Sequence, residues 1–184
     1  MKKIVLPIVF MLFSLVLATP TFSSEKDDQE LEELAQQKGE IIYMDDEITV
    51  RSFGNDTEIS DVIFTHPNSV VVNENNPMLY SSVTGPGGRA SIVASDTGRS
   101  VYWSVKPATA WPYNFKGIVK LRYHSGFKRD APVGGMGALG STISGGVTMN
   151  KNNGGYATLT GTAYALNQSR FSVLPGVTTS FRPN

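Results

Sequence analysis

Residues 117–124 read GIVKLRYH. Val119, Leu121 and Tyr123 alternate with Lys120, Arg122 and His124. Successive side chains of an extended chain point to opposite faces, so this stretch predicts a strand with one apolar and one basic face. Residues 100–105, SVYWSV, carry the same period, with Val101, Trp103 and Val105 on one side. Two such strands with inward apolar rows need a second layer to bury them.

The pattern extends in both directions. Residues 141–149 and 156–166 predict two further strands, joined as a hairpin by residues 150–155, NKNNGG, which tolerate positive φ. Residues 170–174 and 177–181 predict a last strand and an edge strand before Pro183. Upstream, Ile48 and Val50 alternate with Thr49 and Arg51, and short apolar runs follow at Ile59, at Val62 to Phe64 and at Val70 to Val72. Gly54-Asn55-Asp56, His66-Pro67-Asn68 and residues 73–77 punctuate them as turns. Many short strands separated by turn residues predict an all-β fold, an antiparallel β-sandwich or barrel-like domain.

One stretch is helical. In residues 25–39, EKDDQELEELAQQKG, Leu31, Leu34 and Ala35 share a face, acids crowd the first turns and Gly39 supplies a stop. The predicted organisation is a signal peptide at 1–23, an acidic helical leader at 24–39 and a single all-β domain at 40–184. The signal peptide rests on Lys2 and Lys3, on the uncharged apolar run 4–18, and on small residues that place cleavage after Ala18 or Ser23. The chain is therefore expected to be secreted and extracellular. It has no cysteine, which removes both a lipid-modified Cys and disulfides; an exported chain of that kind fits a bacterial source. About 145 residues beyond position 39 can build one ordinary core.

Net charge is zero but unevenly spread. Residues 24–77 hold 14 acids against 3 bases, and residues 78–184 hold 11 bases against 2 acids. Either the acidic leader covers a basic body, or acidic and basic strands lie side by side and neutralise each other.

Catalytic signals are weak. There are two histidines, His66 and His124, no Gly-x-Ser-x-Gly elbow and no cysteine. His124 and Ser125 are adjacent and so face apart. Asp45-Asp46-Glu47 and Asp56-x-Glu58 lack calcium-loop spacing, and Gly85-Pro86-Gly87-Gly88-Arg89 lacks the ending of a phosphate loop and reads as a glycine turn. No catalytic residue, metal ligand or cofactor is assigned, and a non-enzymatic protein is expected.

Two binding features stand out. Lys120, Arg122 and His124 repeat about 7 Å apart along one strand face. With Lys116, Lys128 and Arg129 they make a candidate anion-binding stripe for an anionic cell-wall polymer or membrane surface, without specific nucleic-acid recognition. The alternative occupant is the chain's own leader. In the loop 106–116, Trp111 and Tyr113 are candidate glycan-stacking rings, and with Phe115 they equally suit plugging the core. Residues 134–166 hold nine glycines and one charge, Lys151. Such a hairpin resembles a membrane-inserting stem, and it also suits ordinary sandwich strands. The expected function is a secreted binding or structural protein of the bacterial cell envelope or extracellular matrix, with self-association a further expectation. The alternative is an antibacterial or pore-forming protein restrained by its leader.

Overall fold

The alternation that begins at residue 117 is the C-terminal part of a long strand, Tyr113–Tyr123, at the heart of a two-sheet sandwich. The structure, a computed structural model, describes residues 24–65, 82–95, 97–150, 154–173 and 177–181. The expected signal peptide, His66 and the run Val70 to Val72 lie outside the described residues.

The first sheet runs β1 (Glu40–Met44), β2 (Ile48–Gly54), β8 (Ile143–Met149), β5 (Ser100–Pro107), β4 (Gly88–Ala94) and β3 (Ser82–Gly85). The second runs β7 (Lys128–Gly137), β6 (Tyr113–Tyr123) and β9 (Gly155–Ala165), with β10 (Arg170–Ser172) and β11 (Thr178–Phe181) end to end along the far edge of β9. All the pairings are antiparallel. The fold is an all-β sandwich with two short helices.

Between the sheets, Val101, Trp103 and Val105 of β5 meet Phe115, Val119, Leu121 and Tyr123 of β6, all buried. Trp103 and Phe115 lie 5.7 Å apart, ring to ring. The glycines of 134–166 are seats for these rings. Gly145 is the register partner of Trp103, and a Cβ on it would come 2.7 Å from the indole. Gly117 and Gly161, partners across β6 and β9, leave room for the Phe115 ring. Glycine there trades β propensity for aromatic burial.

Three expectations are corrected. The predicted hairpin of 141–149 and 156–166 does not form. β8 lies inside the first sheet between β2 and β5, whereas β9 pairs with β6 in the second. β8 is buried on both faces and takes a central position in its sheet.

Residues 57–65 are a helix, α2 (Thr57–Thr65), not a strand. Ile59, Ser60, Ile63 and Phe64 form its buried face, and the spacing of Ile59 from Ile63 is helical. Asp56 caps it, its Oδ1 accepting the N–H of Glu58 at 3.0 Å and of Ile59 at 3.3 Å.

The acidic leader is α1 (Ser24–Lys38), and it does not cover the basic strand. Leu31 and Ala35 are buried with Ile59 and Ile63 of α2 and with Phe53, Val93 and Tyr102 on the outer side of the first sheet, away from β6. Lys38 ties the helices together through Asp56 at 3.1 Å and Glu58 at 2.5 Å. Charge is instead neutralised at a sandwich edge, where Asp45 of the β1–β2 turn pairs with Arg129 of β7.

Candidate functional site

The outer face of the second sheet is built from the polar set of β6 and its neighbours in register. Lys116 stands beside Gly134 on β7 and Thr162 on β9. Ile118 stands between Pro132 and Thr160, Lys120 between Asp130 and Thr158, and Arg122 between Lys128 and Tyr156. Thr158, Thr160 and Thr162 thus form a hydroxyl column beside the lysines. Thr162 reaches Ser172 at 3.1 Å, and Thr158 reaches Thr178 at 3.0 Å, extending the column to β10 and β11.

Five of the six predicted anion-binding residues fall on this face or at its end: Lys116, Lys120, Arg122, His124 and Lys128. Their availability differs. Arg122 is engaged with Asp130 at 2.7 Å and with the Leu121 carbonyl at 2.8 Å. His124 lies edge-on to the ring of Tyr156 at 5.4 Å. Lys116 and Lys128 are exposed and Lys120 is half-buried. Arg129 is placed elsewhere. It neighbours Lys128 in sequence, so it faces the other way, and it pairs with Asp45 and donates to the Tyr43 hydroxyl at 2.8 Å. Arg170 is a cation that sequence reasoning missed. Its register partner is Tyr164, and its guanidinium sits 5.7 Å from that ring. Among the described residues the face then carries Lys116, Lys120, Arg122, Lys128 and Arg170 against one carboxylate, Asp130.

The two predicted stacking rings are split. Trp111 is exposed in the β5–β6 loop. Tyr113 is only 2% exposed, donates its hydroxyl to the Ser141 carbonyl at 2.8 Å, and lies over Gly137. Burial pushes its pKa up to about 12, against the opposing effect of the Ser141 side chain. Tyr113 offers no face to a sugar and serves as a plug, as does the buried Phe115.

Two other polar clusters lie outside this face. Ser60, Ser91, Ser104 and Ser144 gather beneath α2, with Ser60 and Ser144 3.1 Å apart. All four are sealed from solvent, so no substrate reaches a hydroxyl; their small size lets the helix sit close to the sheet. A cleft of about 230 Å³ between α1 and the first sheet is lined by Glu32, Arg51, Thr97 and Arg99. There Thr97 donates to Glu32 at 2.9 Å and Arg51 to the Gly39 carbonyl at 3.1 Å, which serves helix docking. Among the described residues no three His, Cys, Asp or Glu come together as metal ligands, and no helix is long and apolar enough to cross a membrane.

Comparisons with protein-family models and with curated protein sequences find no match to this chain.

Proposed function

We propose that this protein is a non-enzymatic binding module, exported to the bacterial envelope or its surrounding matrix, that holds an anionic polymer across the outer face of the second sheet. The observation that carries this reading is the pairing of Lys116 with Thr162 and of Lys120 with Thr158 on adjacent strands. Each pair sets an ammonium beside a hydroxyl, a combination that suits the oxygens of a phosphate diester. The strand face repeats this unit along β6 and so fits a linear ligand better than a small one. The carboxylate of Asp130 on this face is engaged by Arg122 and leaves the lysines to the ligand.

Retention on isolated cell walls tests the reading. The protein should be retained at low salt and released as salt rises, because exposed charges are screened over about 8 Å at physiological ionic strength. Replacing Lys116 and Lys120 by Gln should weaken retention without lowering the melting temperature. Equal retention of the double variant would remove this face from the function. The pore-forming alternative draws no support from β8 and β9, which lie in different sheets, or from α1, which packs away from β6.

A further inference from the structure

Three loops close the end of the sandwich where β6 begins: 108–112, 138–142 and 166–169. They are held together. The Leu166 N–H donates to the Pro112 carbonyl at 2.8 Å, and a Cβ on Gly140 would lie 3.7 Å from the Thr109 carbonyl. Trp111, Leu139 and Leu166 project from them, 53%, 86% and 72% exposed, one from each loop. Met136, 75% exposed, continues the patch on the adjoining strand, in the row that runs through Asn114 to Tyr164. Single exposed apolar side chains are ordinary; large ones converging from separate loops mark an interaction site.

The turn that carries Leu139 supplies an independent observation. The Ser141 N–H donates to the Ala138 carbonyl at 2.9 Å, with φ of 54° at Leu139 and 73° at Gly140. Two central residues at positive φ make a type I′ turn, whose first position favours Asn, Asp or Gly. Leucine is strained there and recovers nothing by burial. The fold has no use for that side chain, whereas an apolar partner does.

We propose that this end is a membrane-interface anchor for an anionic bilayer. Exposed apolar side chains at loop tips suit shallow insertion into a deformable surface, and an exposed tryptophan suits the headgroup boundary. Lys116 and Arg170 flank the patch on the second sheet, and Lys106 is the last residue but one of the strand that feeds the Trp111 loop. Anionic headgroups attract such cations. The carboxylates Asp56 and Glu58 stand on the outer side of the first sheet and are both paired with Lys38. The inference does not rest on polymer binding, because its apolar tips lie outside the threonine–lysine face.

The test uses the full chain with vesicles of phosphatidylglycerol and phosphatidylcholine in equal parts, beside pure phosphatidylcholine. Trp103 is already buried, so a blue shift in emission reports Trp111. The expected results are co-sedimentation with the anionic vesicles and a blue shift that Trp111→Phe abolishes. Leu139→Asn combined with Leu166→Ser should lower vesicle affinity at least tenfold and leave wall retention intact. Leu139→Asn alone should raise the melting temperature, because the turn is relieved. Three results would each overturn the anchor: equal vesicle affinity of the double variant, no blue shift on anionic vesicles, or a lipid-free dimer that Leu139→Asn dissolves. Equal affinity for both vesicle types would overturn the anionic surface as its partner.

Discussion

The ring of Tyr113 lies over Gly137, its register partner on β7: a Cβ at 137 would come 2.5 Å from Cζ and 2.6 Å from the hydroxyl oxygen. The nearest obstacles are all atoms of one side chain, which makes the pair separable from its surroundings. Gly137→Ala should cost about 1–3 kcal/mol by overpacking. Tyr113→Ala removes the obstacle, so the double variant should lose less than the two single losses added together. Denaturant midpoints of the four proteins measure this directly, and strict additivity would show that the ring moves aside freely.

The two helices depend on Asp56. It caps α2 and binds Lys38 at the end of α1, so Asp56→Ala should cost about 1–2 kcal/mol and loosen α1 first. Burial opposes its ionisation, but Lys38 and the N–H groups of Ile59 and Glu58 outweigh burial and hold its pKa below the ordinary value. The folded state therefore binds this proton less readily than the unfolded chain. Its contribution is present above about pH 4 and is lost as pH falls below that. Hydrogen exchange in residues 24–38 should rise on acidification before exchange in β5 and β6 does. Simultaneous exposure of both would show that the helices and the sandwich open as one unit.

At the alkaline end two buried tyrosines act together. Burial raises Tyr113 to about 12; burial, with the Glu47 carboxylate nearby, raises Tyr123 to about 12. The folded state holds both protons between pH 10 and 12, where the unfolded chain has released them. Stability should therefore be full below about pH 10 and fall between pH 10 and 12, by on the order of 2–3 kcal/mol for each ring. Urea midpoints at pH 8, 10 and 11.5 follow the loss. Tyr113→Phe should flatten the curve, and an unchanged curve would mean that other groups govern alkaline unfolding.

Strand β6 was legible in the sequence because it buries one face and leaves a strict period of two; β5 is covered on both faces, yet Val101, Trp103 and Val105 still alternate with Ser100, Tyr102 and Ser104. β8 was legible as a strand but not in its place. The alternation of Ile143, Val147 and Met149 with Ser144, Gly146 and Thr148 gives it an inner face but names no neighbour, and the turn-forming residues 150–155 suit a hairpin as well as a crossover. α2 was obscured because Val62-Ile63-Phe64 reads as a strand, although Asp56 followed by Thr57-Glu58 is a helix-start signal. Lys128 and Arg129 were placed together by proximity, against the rule that neighbours in a strand face apart. The apolar loop end left no local trace: Trp111, Leu139 and Leu166 are far apart in the chain, and only the meeting of three loops makes them one surface.

The proposed polymer face makes a quantitative claim about Lys116 and Lys120. Each should neutralise one phosphate and release its counterion, so the logarithm of affinity should fall linearly with the logarithm of salt. The decisive measurement is that slope, taken by titrating a soluble linear phosphodiester polymer into the protein and into the Lys116→Gln, Lys120→Gln variant. The slope should shrink by roughly one for each lysine removed, with the melting temperature unchanged. Identical slopes for the two proteins would contradict the claim that this face holds an anionic polymer.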